Sequence, residues 1–209
     1  QGHGALFTSI VYRADVGRLI GEGWLSPLVT GAPSVQIDTA SVPTRLGEFA
    51  ARDLELAADI AEVTERVADD VVEALRLGRT SALVFSCGVA HAGHLDDAIR
   101  ARGVESAVIV GDTDQMVRQA LIGRFRRREL PCIVSCDVLT VGFDAPCVDV
   151  MALVRATQST ALYQQMIGRG LRKAEGKSDC LILDYGGNIA RHGPVDDVRV
   201  REKTSKKGD

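Results

Sequence analysis

The sequence predicts an α/β fold, a parallel sheet with helices on both faces. Five short apolar runs, at 82–85, 107–110, 132–135, 148–153 and 180–183, have the length and character of strands buried on both sides. Stretches with helical spacing fall between most of them, at 89–102, 113–128 and 159–171. Alternation of this kind gives parallel strands joined by crossover helices, and such sheets take their ligands beyond the carboxyl ends of the strands.

In chain order, residues 1–44 are irregular, with Gly, Pro and Ser scattered among short apolar pieces. Residues 7–11 and 28–37 have an extended pattern, and 13–22 reads as a short helix stopped by Gly23. This segment carries no core of its own and is expected to lead out of a preceding domain. Residues 45–77 space Leu46, Phe49, Leu56, Ile60, Val63, Val67, Val71 and Leu75 as one face of a helix, with room for a break, and Gly78 ends it. The strand–helix alternation starts at Ser81, so the main domain is expected over 45–190. Past Tyr185 the sequence turns polar, and 191–209 is expected to be a tail whose end, 203–209, has no fixed structure.

A chain of 209 residues is long enough to bury a sizeable core. Its 45% hydrophobic and 25% charged residues are those of a globular protein, and no apolar run approaches the ~20 residues that span a bilayer. The opening Gln1-Gly-His-Gly has neither Met nor a signal-peptide pattern, which reads as a piece of a longer cytoplasmic protein with no membrane contact. None of the five cysteines forms a C-x-x-C pair. Cys132 and Cys136 lie in one extended run, about 13 Å apart at strand spacing, too far for a disulfide. The cysteines are expected as small core residues in a reducing compartment. A net charge of −3 excludes a strongly basic nucleic-acid module, so any such contact must be local or shared with a partner.

The motif richest in chemistry is Gln165-Met-Ile-Gly168-Arg169-Gly170-Leu-Arg172. Arg169 and Arg172, three apart on a helix, project from one face, and two forked guanidiniums side by side suit a polyphosphate. Gly168 and Gly170 are poor mid-helix residues, so something is expected to approach that backbone closely. The plain alternative is a basic helix end favoured by the helix dipole. Thr140-Val-Gly142-Phe-Asp144-Ala-Pro146 follows the third strand, where a doubly wound sheet binds its ligand. Thr140 offers a hydroxyl and an amide to a phosphate, Gly142 permits a tight turn, and Asp144 can accept from a ribose hydroxyl or hold an arginine. Its plain alternative is a polar turn. Ser86, at the end of the first strand, could meet a nucleic-acid phosphate at a helix N-terminus, and Gly111-Asp112-Thr113 repeats that arrangement after the next strand; either could equally be a capped strand end. The run Arg124, Arg126, Arg127 and Arg128 could track a phosphate backbone or simply be a solvated helix end. His91 and His94 could share a metal, but no Cys or acid pair completes a site, so no metal is expected. Asp96 and Asp97 diverge on a helix and do not form a catalytic pair.

Together the order V-F-S, G-D-T, T-V-G-F-D-A-P and Q-M-I-G-R-G-L-R resembles motifs IV, V and VI of superfamily 2 helicases, over roughly residues 81–184. The G-R-G-L-R ending, the upstream A-L-F-T-S-I-V-Y and L-I-G-E-G-W-L-S-P-L segments and the downstream C-L-I-L-D-Y-G-G-N-I-A-R-H-G-P-V are similar to the RadD-like DNA repair and type III restriction branch. The resemblance implies the second RecA-like domain of an ATP-dependent helicase. By it, Arg169 and Arg172 are arginine fingers reaching the ATP γ-phosphate, and Gln165 lies near the phosphates. Gly142 and Asp144 would link nucleotide state to strand grip, while Thr140, Ser86, Gly111 and Ser159 would touch the nucleic acid, expected to be DNA.

One departure bounds the activity. The chain has no G-x-x-x-x-G-K-[ST] loop and no D-E-A-D or D-E-x-H box. Those elements hold phosphates, Mg²⁺ and the attacking water. In the family they lie on the first RecA-like domain, so Mg²⁺ is expected to be held there and this chain alone is expected to be inactive. Two other readings compete: a non-catalytic module with the same fold that grips nucleic acid or protein, and an unrelated doubly wound enzyme, for which no catalytic pair is present.

Overall fold

The computed structural model describes residues 15–136 and 144–194. Six parallel strands form its centre, in the spatial order β1 (Leu28–Thr30), β8 (Cys180–Asp184), β7 (Val150–Leu153), β4 (Ala82–Phe85), β6 (Cys132–Ser135) and β5 (Ser106–Ile109). A separate antiparallel hairpin pairs β2 (Thr44–Arg45) with β3 (Glu48–Phe49). The expected α/β class is observed, and the strands at 82–85 and 132–135 end where the apolar runs end.

Every residue of β4, β6 and β7 is buried, yet their side chains alternate between two separate cores. Ala82, Val84, Val134, Val150 and Ala152 pack beneath α2 (Ala51–Ala58), α3 (Ala61–Arg76) and α4 (Val89–Ala101). Leu83, Phe85, Ile133, Met151 and Leu153 pack on the other face, against Phe125 of α5 (Gln115–Arg126) and Tyr163, Met166 and Ile167 of α6 (Thr160–Gly170). Each fully buried Leu, Ile or Phe contributes roughly 1.5–3 kcal/mol of transfer free energy, so two covered faces make this sheet the dominant stabilising element.

The connections place the site. From central β4 the chain runs through α4 to the edge strand β5, then back through α5 to β6. It next passes β4 to reach β7 on the far side, and α6 leads on to β8 and the short α7 (Asn188–His192). The β6–β7 link carries the 140–146 motif, and its described part, from Asp144, enters β7 at the amino edge of the sheet, where the Asp149 amide donates to the Ser81 carbonyl at 3.1 Å.

Three expectations are corrected. The stretch 45–77 is not a helix with one break but the hairpin, α2 and α3. Leu46 and Gly47 form the hairpin turn with φ of 53° and 81°, a conformation no helix accommodates. Leu46, Leu56 and Ile60 consequently face solvent, whereas Val63, Val67 and Val71 keep the buried face of α3. In the leading segment the helix shrinks to α1 (Val16–Gly21), capped by Asp15, whose Oδ1 accepts from the Arg18 amide at 2.8 Å. Only Leu28–Thr30 of the 28–37 stretch is a strand, and it completes the sheet by pairing with Cys180–Ile182, while Ile37 and Val42 enter the core. Residues 7–11, Thr140, Gly142 and the expected tail from 195 onward lie outside the described residues. Among the described residues, no helix is long and apolar enough to cross a membrane.

Candidate nucleotide cleft and nucleic-acid edge

Helix α6 positions the arginine pair. Ser159 caps it, its Oγ accepting from the Leu162 amide at 3.2 Å. Tyr163, Met166, Ile167 and Gly170, spaced i, i+3, i+4 and i+7, bury one face on the sheet. Gly170 is required by that packing: a Cβ there would come within 2.6 Å of Met151 Sδ and 2.9 Å of Cys180 Sγ. Gly168 has the opposite surroundings, with nothing within 4 Å of a Cβ. The close approach expected at both glycines is thus met by the sheet at Gly170, and at Gly168 no group among the described residues makes it. Gln165 is exposed on the same helix.

Arg169 is buried, at 9% exposure, and its affinity for its proton is lowered, first by burial and then by the charge of Arg172; Asp144 acts in the opposite sense. Arg172 is not on the helix, as the three-residue spacing suggested, because α6 ends at Gly170 with Leu171 as its cap. It is placed instead by Lys177, whose Nζ donates to the carbonyls of Gly170 at 2.6 Å, Arg172 at 2.8 Å and Pro146 at 3.4 Å. Burial lowers the Lys177 pKa, the expected effect on an ammonium drawn into carbonyls. Lys177 so ties the turn after α6 to the end of the 140–146 motif. Of the two roles open to Asp144, the structure shows it holding arginines: its Oδ1 accepts from Arg172 Nη1, and Arg126 Nη2 lies 3.4 Å from its Oδ2.

The remaining predicted contacts follow the carboxyl ends of β4, β5 and β7, at the opposite edge of the sheet from the end of α6. Gly111 is exposed, and its turn is organised by Arg118, which donates to the carbonyls of Val110 at 3.0 Å, Gly111 at 3.1 Å and Thr113 at 3.3 Å. Ser159 faces an acid of this chain. Glu48 of the hairpin accepts from Thr157 Oγ1 at 2.5 Å, the Gln158 amide at 2.8 Å and the Ser159 amide at 3.3 Å. These bonds hold the Glu48 pKa below the usual carboxylate range despite its burial, which pulls the other way and is the largest single influence. Ser86 does not present its hydroxyl at the surface: it is buried and donates to the carbonyls of Gly88 at 3.1 Å and Ser135 at 3.2 Å, locking β4 onto β6.

The basic run separates by partner. Arg124 pairs with Glu105 at 2.9 Å, Arg127 with Glu129 at 2.7 Å, and Arg128 donates to the Glu175 carbonyl at 2.7 Å; Arg126 turns to Asp144. His91 and His94 part company too. His91 is fully buried, and both of its ring nitrogens lack a hydrogen-bond partner, whereas His94 pairs with Asp59 at 2.8 Å on the surface. Among the described residues no three His, Cys, Asp or Glu side chains converge as metal ligands. Glu48, Arg118 and Lys177 escaped the sequence reading because single charged residues carry no spacing signal, and Arg126 was read only as one of a basic run.

Residues 66–174 match the family described as Helicase conserved C-terminal domain, over half of the chain. This chain belongs to that family. The helicase C-terminal domain is 43% identical over 113 residues to a protein of Schizosaccharomyces pombe named as the mitochondrial ATP-dependent helicase irc3, covering 54% of this chain and 19% of that protein. It is 28% identical over 179 residues to the Saccharomyces cerevisiae protein named as the ATP-dependent helicase IRC3, covering 85% of this chain and 26% of that one. The domain thus spans about a fifth to a quarter of the length of these relatives. Among solved structures, a fragment of an HsdR subunit of a type I restriction enzyme from Vibrio vulnificus superposes with a TM-score of 0.72 at 20% identity, over 91% of this chain and 38% of that one, a likeness of fold. The RecA-like architecture and the superfamily 2 assignment expected from motifs IV–VI are therefore borne out.

Proposed function

We propose that this domain is the second motor half of an ATP-dependent DNA helicase or translocase of the RadD-like branch. The observation that carries the reading is the convergence of Arg169, Arg172 and Asp144 beside the open backbone of Gly168, at the end of α6 where Gly170 packs on the first residues of β7 and β8. In this reading Arg169 and Arg172 reach the γ-phosphate of ATP bound on the first RecA-like domain of the same protein, with Gln165 beside the phosphates. Two guanidiniums there stabilise charge that grows as the phosphoryl group transfers. Mg²⁺ and the attacking water belong to that first domain. Asp144 and Gly142 relay nucleotide state to the strand edge, where Thr140, Gly111 and Ser159 meet the DNA backbone. Ser86 shapes that edge from within. Five free, buried cysteines fit a reducing compartment, which we take to be the cytoplasm.

The test compares the full-length protein with this chain alone. The full-length protein should hydrolyse ATP faster with single-stranded DNA than with RNA or no strand. The isolated chain should neither turn over ATP nor bind it tightly in calorimetry. Tight, Mg²⁺-dependent ATP binding to the chain alone would overturn the reading.

Gly168 gives a second expected result. An alanine there fits the open space and restores helix propensity, raising stability by roughly 0.5–1 kcal/mol in chemical denaturation. In the full-length protein the same Gly168→Ala should lower turnover, because the facing domain closes on that backbone. A variant both more stable and fully active would remove Gly168 from the cleft.

A further inference from the structure

Of the four arginines in 124–128, Arg126 makes a contact of a different kind from its neighbours. It sits at the last turn of α5, and its guanidinium grips Asp144 twice: Nε donates to the Asp144 carbonyl, and Nη2 lies 3.4 Å from Oδ2. The other carboxylate oxygen, Oδ1, is held by Arg172. One carboxylate is thus shared between an arginine of the cleft and an arginine that touches neither α6 nor the turn after it in any described bond. All three side chains are partly exposed, so these are adjustable contacts rather than a sealed ion pair.

We propose that Arg126 is a positioning residue of the nucleotide cleft, holding Asp144 so that Arg172 can leave it for phosphate. The inference rests on the reading that Arg172 engages the nucleotide. The charges give the reason. Arg172 must exchange one anion for another during each cycle. With Arg126 in place, the Asp144 carboxylate keeps a cation and its backbone keeps its position when Arg172 departs. Without Arg126, departure strands a carboxylate, and the 144–146 turn loses its tie to α5.

The experiment is steady-state ATP hydrolysis by the full-length protein at saturating single-stranded DNA. Arg126→Gln should lower kcat about five-fold, the scale of one exposed ion pair, with KM for ATP changed less than two-fold. Asp144→Asn removes the carboxylate that Arg126 holds and leaves only its carbonyl contact, so the double variant should lose less than the product of the two single losses. Arg126→Lys should rescue only in part, because an ammonium cannot hold carbonyl and carboxylate together. The loss should also shrink in high salt, which a purely structural role would not show. Arg124→Gln, which breaks a neighbouring pair with Glu105, should leave kcat unchanged. Unchanged kcat in Arg126→Gln, or losses that multiply in the double variant, would overturn the inference. A fully active Arg172→Ala enzyme would overturn instead the reading on which it rests, so the two failures are distinct.

Discussion

Replacing Arg172 by alanine in the full-length protein should reduce ATP turnover by ~10³–10⁵-fold, the effect of losing an arginine that stabilises charge in phosphoryl transfer. The fold should hardly notice. Arg172 lies beyond the end of α6, and its described bond is to the exposed Asp144 carboxylate; such pairs contribute roughly 0.2–1 kcal/mol. Melting temperature should therefore stay close to that of the parent while turnover collapses. Arg172→Lys should rescue poorly, since a point charge does not reproduce the planar fork. Arg169 offers a less clean test because it is buried, so its removal would disturb packing as well as chemistry. An Arg172→Ala enzyme with near-normal turnover would withdraw the main support for the motor reading.

The second large effect is a loss of stability in acid that originates at His91. Burial lowers its pKa to about 4, against 6.5 for an ordinary imidazole, with Asp59 raising it and His94 lowering it by smaller amounts. Between those two values the unfolded chain binds a proton that the folded chain refuses. Stability should therefore fall as pH drops through 6.5 and level off near pH 4, by of order 3 kcal/mol in total and about 2 kcal/mol by pH 5. His94 works in the opposite sense. The hydrogen bond and charge of Asp59 raise its pKa, so its contribution is present below the unfolded pKa and fades as pH rises through the raised value. It is exposed, and its effect should be small beside that of His91. His91→Phe removes the titrating ring and two unpartnered nitrogens together. The variant should be at least as stable as the parent at pH 7.5 and should lose the acid slope between pH 6.5 and 4.5. Melting curves at several pH values with the same slope for parent and variant would show that the acid sensitivity arises elsewhere.

The strands and the helices after Ser81 were legible because their signals are local. β4 and β6 are continuous apolar runs, and α4 and α6 repeat their buried residues at helical spacing, so burial of a sheet on both faces could be read from neighbours in the chain. The order of motifs IV–VI likewise survives in one dimension. The region before Ser81 was misread where backbone conformation overrode periodicity: Leu46 and Gly47 turn with positive φ in a stretch whose apolar spacing alone favours helix.

What the sequence by itself determined is the α/β class, the family and the candidate arginine pair, since each depends on residue types at fixed short spacings. The tertiary structure decided the rest. Leu28–Thr30 becomes the sixth strand by pairing with Cys180–Ile182. Glu48 reaches Thr157 across 109 positions of sequence, and Arg126 reaches Asp144 across 18. Arg172 is set by the Lys177 ammonium after its helix has ended. These contacts join single charged or edge residues whose partners are distant in the chain, and a lone charge in a turn has no periodicity to announce it. Its role exists only once the strand order has brought the turns that flank β6, β7 and β8 side by side.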